Sequence, residues 1–134
     1  MTFMNAVTIA GVGETDYSKN SGRSELQLSL EAINNALQDA GIDRKEVDGL
    51  LRWSVDTSPE ATVAANMGIE DLAWFGEINQ AGNVGAALVA NGAAAIHAGL
   101  ANVVVIYRGV NGRSGRRYGR GDVTGRSGRG PAAF

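Results

Sequence analysis

Residues 79–107 read NQAGNVGAALVANGAAAIHAGLANVVVIY, and this stretch decides the fold of the chain. It begins with a glycine-containing turn, continues as a helix of small apolar residues over 84–100, and ends as an apolar strand over 103–106. Because the helix has no polar face, we expect it to be buried on all sides, as the middle layer of the domain. The unbroken apolarity of the strand indicates a parallel sheet that is covered on both faces.

The sequence before this stretch alternates between helix and strand patterns. The clearest helix covers 24–40, where Ser24 and Gln27 form a capping box and Gly41 supplies the stop. Its apolar side chains recur at helical spacing in one stripe: Leu26, Leu30, Ile33, Leu37 and Ala40. Short strands are predicted over 6–10, 49–53 and 72–77. One further helix is predicted over 60–67. This alternation predicts an α/β domain with helices on both faces of the sheet.

Gly11 and Gly13 follow the first predicted strand and invite comparison with a dinucleotide-binding turn. That motif needs a third glycine three residues after the second, and Asp16 stands there instead. The next helix also begins too far downstream to present its N-terminus to a pyrophosphate. We therefore interpret these glycines as a turn that leaves a strand.

Length and composition indicate one globular domain. The chain has 134 residues, of which 44% are hydrophobic and 19% are charged, as is ordinary for a protein with one core. Asn91, His97 and Asn102 interrupt the apolar stretch, so no membrane span is predicted. Because the N-terminus carries no export signal, we expect a cytoplasmic protein.

Few residue types in this chain are suited to catalysis. With no cysteine, disulfides, thiol nucleophiles and cysteine metal sites are excluded for these residues. His97, the only histidine, suits contact with the end of the apolar helix, with a catalytic role as the alternative. Tyr107 and Tyr118 are possible acid/base phenols. Tyr107 ends the central strand, where ligands bind in open α/β sheets, although packing alone also explains it; Asp16 and Tyr17 are assigned to the same rim.

Three segments together resemble the N-terminal half of the thiolase superfamily, and in particular its lipid-transfer proteins and steroid side-chain aldolases. They are VTIAGVGET at 7–15, ELQLSLEAINNALQDAGIDRKEVDGLL at 25–51 and GNVGAALVANGAAAIHAGLANVVVIYRG at 82–109. The resemblance implies a thiolase-like layered α-β-α half, with a mainly parallel mixed sheet and a buried Ala/Gly-rich central helix. Residues 1–107 are then an incomplete N-terminal domain, and 108–134 begin a loop that serves subunit contacts and the active site.

The same resemblance bears on the reaction. Thiolases carry a nucleophilic cysteine in the turn before the buried helix, and gapless counting from the segment 99–102 puts Gly82 at that position. The resemblance therefore implies retro-aldol cleavage of a β-hydroxyacyl-CoA by the complete protein, with acid and base groups mainly from its C-terminal half. Gly82, Asn83 and Tyr107 are predicted to bind substrate; no catalytic residue and no metal ligand is assigned. A non-catalytic thiolase-fold module that binds acyl-CoA or a partner enzyme is the alternative.

Partners are implied in the same way. The resemblance suggests acyl-CoA as substrate, no cofactor beyond the coenzyme A of that substrate, a homodimer packed through a sheet edge, and an OB-fold, zinc-ribbon acyl-CoA-binding partner. Charge leaves further alternatives, because residues 1–107 carry 5 basic and 13 acidic side chains, whereas 108–134 carry 7 arginines against Asp122. The Arg/Gly segment is interpreted as the thiolase-type loop; coenzyme A phosphates, RNA or solvent are its other possible surroundings. No nucleic-acid partner is predicted.

Overall fold

The computed structural model describes residues 5–79 and 84–111, which form three strands and the helices that pack on them. In chain order these are α1 (Glu25–Ala40), a 3₁₀ turn (Arg44–Glu46), β1 (Gly49–Trp53), α2 (Glu60–Met67), β2 (Trp74–Ile78), α3 (Val84–His97) and β3 (Val104–Tyr107). The strands are parallel and lie in the order β2-β1-β3. The predicted α/β architecture is confirmed, and these strands supply the parallel part of the predicted mixed sheet.

The sheet lies between two helical layers. Leu50 belongs to a core shared with α1 and α2, which includes Ile33 and Val63, whereas Leu51 packs with Val84 and Leu88 of α3. Leu50 is 0% exposed and Leu51 is 1% exposed. Because successive side chains of a strand point to opposite faces, both faces of β1 are buried. The two-sided burial was predicted for the strand at 103–106, where Ile106 is 38% exposed within the described structure.

Helix α1 begins and ends where the sequence predicts. The Ser24 hydroxyl accepts a hydrogen bond from the Gln27 N–H at 3.1 Å, and the Gln27 side chain accepts one from the Ser24 N–H at 2.8 Å. At the other end Gly41 adopts a left-handed conformation with φ of 67° and directs its N–H back to the last turn. Only glycine takes that conformation without a steric cost, so Gly41 ends the helix.

The predicted first strand over 6–10 is wrong: within the described residues this segment joins no sheet, and the residues that follow it, 11–13, lie against α1. The Val12 N–H donates to Asp39 Oδ2 at 2.9 Å. A Cβ at Gly11 would lie 2.4 Å from the carbonyl oxygen of Ala36, and one at Gly13 would lie 2.2 Å from its nitrogen. The glycines therefore allow two backbones to touch, and do not mark a turn. The β-branched pattern indicated an extended chain correctly, but a strand also needs a neighbouring strand.

Helix α3 is not buried on all sides in the described structure. Its sheet-facing residues are buried, whereas Val89 is 45% exposed and Gly85, Ala86 and Ala90 are also exposed. Within the described residues α3 therefore packs on the sheet with one face, and its other face is exposed. The helix also ends at His97 rather than at Leu100, and Gly99 follows with φ of 73°. No helix within residues 5–79 and 84–111 is long and apolar enough to cross a membrane.

Candidate functional site

The carboxyl edge of the sheet is the candidate site because its backbone geometry brings several chain segments together. The strands are parallel, so Trp53, Ile78 and Tyr107 end on the same side. Helices α2 and α3 begin after β1 and β2, and α1 runs antiparallel to the strands, so all three helix N-termini lie toward this edge. Ligands of open α/β sheets bind at this kind of edge.

Residues 54–58, here called the 54–58 loop, connect β1 with α2 and contact each of the other segments at this edge. The Ser54 N–H donates to the carbonyl oxygen of Ile78 at 3.1 Å, and the Ser54 hydroxyl lies 3.2 Å from Asn79 Oδ1. The Thr57 hydroxyl bonds to the carboxylate of Glu25 at the start of α1. The loop therefore joins the first turn of α1 to the end of β2.

Asp56 attaches the same loop to the residues that leave β3. One oxygen, Oδ1, accepts the Ser58 N–H at 2.9 Å, and the other, Oδ2, accepts the Gly109 N–H at 2.5 Å. Asp56 is 5% exposed, so these two hydrogen bonds replace most of its contact with water. A Cβ at Gly109 would lie 2.1 Å from Ser29 Oγ, so glycine is needed for the chain to pass this close to α1.

Arg52 lies at the centre of the edge. Its Nε is 3.1 Å from Glu60 Oε1 as an ion pair, its Nη2 donates to Glu77 Oε2 at 2.6 Å, and its Nη1 donates to the Asp56 carbonyl oxygen at 2.9 Å. The side chains of Arg52 and Glu60 are 12% and 11% exposed. Burial alone lowers the pKa of Arg52, but the adjacent carboxylates of Glu60 and Glu77 outweigh it and raise that pKa. The guanidinium therefore stays charged and links β1, β2, α2 and the 54–58 loop.

Tyr107 faces the layer formed by α1 and α2. The side chain is 4% exposed, and its hydroxyl donates to the carbonyl oxygen of Ser58 at 2.7 Å. Burial raises the pKa of Tyr107 far above its ordinary value, and the charges of Glu60 and Asp56 act in the same direction. In this geometry the phenol is a protonated donor that fixes the 54–58 loop. Its predicted contact with substrate stays a prediction.

The other sequence-predicted residues are spread across the chain. Gly82, Asn83 and Tyr118 lie outside the described residues. His97 is at the end of a 14-residue α3, about 20 Å along the helix from its start, and so points to the opposite edge of the sheet. The Tyr17 side chain is 92% exposed, and its hydroxyl donates to Glu14. Asp16 forms an ion pair with Arg23 beside the start of α1.

Sequence reasoning missed Arg52, Asp56 and Glu60. Two signals were present: an arginine inside the apolar strand GLLRW, and an Asp-x-Ser turn immediately before α2. A charged side chain in the middle strand of a covered parallel sheet needs a partner of opposite charge, which the first turn of the next helix supplies. Within residues 5–79 and 84–111, no group of three or more metal-ligating side chains lies close enough together to hold a metal ion.

The amino edge of the sheet holds the two sequence segments that carry most of the thiolase resemblance. Asp48 precedes β1 and accepts hydrogen bonds from the Asn102 N–H and side-chain amide at 2.9 and 2.8 Å, and from the Val103 N–H at 2.8 Å. Burial alone raises the pKa of Asp48, but these hydrogen bonds outweigh it and hold the pKa below its ordinary value. The contact aligns the starts of β1 and β3, which gives these two segments a structural role.

Comparison with known proteins identifies similar aldolases. No family model matches the chain. The chain is 48% identical over 118 residues to the steroid side-chain-cleaving aldolase of Thermomonospora curvata, covering 88% of this chain and 30% of that protein. It is 48% identical over 112 residues to the 17-hydroxy-3-oxo-4-pregnene-20-carboxyl-CoA lyase of Mycobacterium tuberculosis, covering 84% of this chain and 29% of that protein. The chain therefore spans less than a third of the length of these curated relatives.

Two solved structures are similar in fold. One, described as the Ltp2-ChsH2(DUF35) aldolase, has a TM-score of 0.77 and 48% identity over 80% of this chain and 28% of the other. The second is a monomeric SCP2-thiolase-like protein of Mycobacterium smegmatis, with a TM-score of 0.61 and 27% identity over 73% of this chain and 22% of the other. The fold is thus α/β and thiolase-like. The similarity to aldolases rests on the first structure and the two curated relatives.

Proposed function

We propose that the protein carrying this chain is a carbon–carbon lyase that cleaves a β-hydroxyacyl-CoA with a steroid side chain by a retro-aldol reaction. The observation that carries the proposal is the 48% identity to two relatives named for this chemistry, over most of this chain. This chain would supply the thiolase-like N-terminal portion, as its similarity to an SCP2-thiolase-like protein suggests. The lipid-transfer description of that family remains part of the proposal.

The composition of the chain agrees with this reaction. A thiolase transfers an acyl group through a cysteine thioester, and this chain contains no cysteine. A retro-aldol step needs none: a base removes the proton of the β-hydroxyl, the C–O bond becomes a carbonyl, and the Cα–Cβ bond breaks. Its electron pair stays on the α carbon as a thioester enolate, which is then protonated. The base and the acid are proposed to come from outside this chain, and no redox partner is needed.

The chain's own residues would shape one wall of the site. The predicted turn at 79–83 begins next to the 54–58 loop, because Ser54 contacts Ile78 and Asn79. Gly82 and Asn83 are proposed to contact the thioester from this turn. A glycine where thiolases hold a cysteine leaves room for a branched acyl group. Backbone N–H groups at the start of a helix are suited to stabilising an enolate oxygen.

Protein partners belong to the same proposal. The similar aldolase structure is described with two components, Ltp2 and ChsH2(DUF35), so we propose a second protein for this chain too, of the OB-fold, zinc-ribbon type. A homodimer is also proposed through β2, the outer strand of the sheet within the described residues, where Phe75 is 64% exposed. Sedimentation of the full-length protein, alone and with the candidate partner, separates a monomer, a homodimer and a mixed complex.

The test is turnover by the full-length protein with its partner. We expect 17-hydroxy-3-oxo-4-pregnene-20-carboxyl-CoA to yield a 17-ketone and a shorter acyl-CoA, detected by mass spectrometry. The control is the same thioester without the 17-hydroxyl, which has no proton for the base to remove and should stay intact. Tight binding of the hydroxylated thioester without cleavage would contradict the proposal and favour the non-catalytic module.

A further inference from the structure

Arg108 lies at the carboxyl edge of the sheet but does not belong to the ion pairs that Arg52 forms with Glu60 and Glu77. Arg52 and Tyr107 are register partners, so Trp53 and Arg108 are the next residues along their strands. The Cζ atom of Arg108 lies 4.3 Å from the centroid of the Trp53 ring. This distance places the guanidinium on the face of the indole in a cation–π contact.

Trp53 in turn fixes Arg108 on the α3 side of the sheet. The indole is partly buried against the cluster formed by Leu51, Val84 and Leu88, and Val84 is the first residue of α3. Arg108 therefore lies on the same edge and the same face as the start of α3, which follows the turn predicted to bind substrate. Tyr107, its neighbour, points to the opposite face.

The charge of Arg108 is available to a ligand. Among the described residues Arg108 forms no ion pair, and the acids Glu60 and Glu77 of this edge pair with Arg52 instead. Stacking uses the face of a guanidinium and leaves the N–H groups in its plane free to donate. Two such groups match two oxygens of one phosphate, which a lysine at this position would not do.

We propose that Arg108, held on Trp53, binds a phosphate group of the coenzyme A part of the substrate. The inference rests on the proposed function for its ligand and adds to it a named residue and a named chemical group. An acyl-CoA enters with its phosphates at one end and its reacting carbons at the other. Arg108 would hold the phosphate end of coenzyme A at the carboxyl edge. The thioester would then contact the predicted turn before α3. Arg108 contributes to binding and takes no part in bond cleavage.

The test compares two thioesters of the same β-hydroxy acid in the full-length protein. One is the coenzyme A ester, and the other is the pantetheine ester, which has no phosphate. For Arg108→Gln we expect KM for the coenzyme A ester to rise about tenfold, the ratio that corresponds to about 1.4 kcal/mol, with kcat within twofold of the wild type. With the pantetheine ester both constants should stay within twofold. Arg108→Lys should fall between wild type and Arg108→Gln.

The control is Arg44→Gln, which removes an exposed arginine from the 3₁₀ turn after α1 and should change neither substrate. Equal losses with both esters would overturn the inference, because a structural effect does not distinguish them. An unchanged KM for the coenzyme A ester would overturn it as well.

Calorimetric titration with coenzyme A separates this inference from the proposed function. If the wild-type protein cleaves neither ester, the proposed reaction fails, yet coenzyme A should still bind about tenfold more weakly to Arg108→Gln than to wild type. Equal binding by the two proteins, or no binding by either, would overturn the role of Arg108.

Discussion

At the amino edge of the sheet one carboxylate, Asp48, is surrounded by hydrogen-bond donors, whereas at the carboxyl edge one guanidinium, Arg52, is surrounded by acids. The Asp48 carboxylate accepts hydrogen bonds from the backbone and side chain of Asn102 and from the Val103 N–H. The carboxyl edge instead links β1 to α2 and β2 through the ion pairs of Arg52, of which the pair with Glu60 is nearly out of water, whereas Glu77 is 51% exposed. Hydrogen bonds to backbone fix a strand register, whereas an ion cluster fixes the relative positions of loops.

The largest effect expected from this comparison is the loss of Arg52. Replacing it in Arg52→Met leaves the buried Glu60 carboxylate without a cation, and we expect the free energy of unfolding to fall by about 3–5 kcal/mol in urea titrations. Replacing Glu60 as well, in Arg52→Met/Glu60→Leu, should recover most of this loss, because no unpaired charge remains. Arg44→Met, at an exposed site, should stay within about 0.5 kcal/mol of wild type. Equal stability of the single and double variants would contradict the role given to the ion pair.

Features that depend on neighbouring residues were predicted from the sequence, whereas the contacts of Arg52 were not. The capping box of α1 and the stop at Gly41 depend on residues close in sequence, and both were predicted. The ion pairs of Arg52 join residues from β1, α2 and β2. The arginine inside GLLRW signals that a partner of opposite charge is needed, but no local pattern identifies Glu60 and Glu77 as those partners.

Two differences between the sequence-based expectations and the described structure have the same physical origin. The segment 6–10 has the composition of a strand, and α3 has the composition of a helix buried all round. The composition of a segment indicates how much apolar surface it has. It does not indicate whether another segment is present to cover that surface. Within residues 5–79 and 84–111, neither segment has a partner on every side. The position of the candidate site was predicted in part, because a parallel sheet directs its carboxyl ends to one edge whatever the side chains there.

A smaller effect is expected at the amino edge. Asp48→Asn removes charge and acceptor capacity from a group that accepts N–H bonds from Asn102 and Val103, and should lower the free energy of unfolding by about 1–3 kcal/mol at pH 7. Because folding lowers the pKa of Asp48, its contribution is full above the ordinary carboxyl pKa of about 3.9 and is lost as pH falls through the folded value. The difference between variant and wild type should therefore narrow below about pH 4.

The control for this edge is Asp71→Asn, which changes an exposed carboxylate before β2 and should have little effect at either pH. A gap between Asp48→Asn and wild type that stays constant from pH 7 to pH 3 would show that the charge of Asp48 is not what matters.

The smallest effect concerns a neutral hydrogen bond at the carboxyl edge. Tyr107→Phe removes the donor to the Ser58 carbonyl oxygen and should lower the free energy of unfolding by about 1 kcal/mol. Because folding raises the pKa of Tyr107, the stability that its protonated phenol contributes is full below about pH 10 and is lost as pH rises toward the folded value. Ultraviolet titration should find one tyrosine that ionises only when the protein unfolds in alkali. Tyr17→Phe, at a side chain that is 92% exposed, is the matched control and should change stability little.

The stack of Arg108 on Trp53 also has an optical consequence. The chain has two tryptophans, and Trp74 lies on the edge strand β2 while Trp53 carries a cation on its ring. Indole emission responds to a charge held against the ring, so the colour and intensity of Trp53 fluorescence report whether the guanidinium stays in place. With Trp74 replaced by Phe, the protein carries a built-in sensor within this chain, and arrival of a phosphate at Arg108 becomes visible without any attached dye.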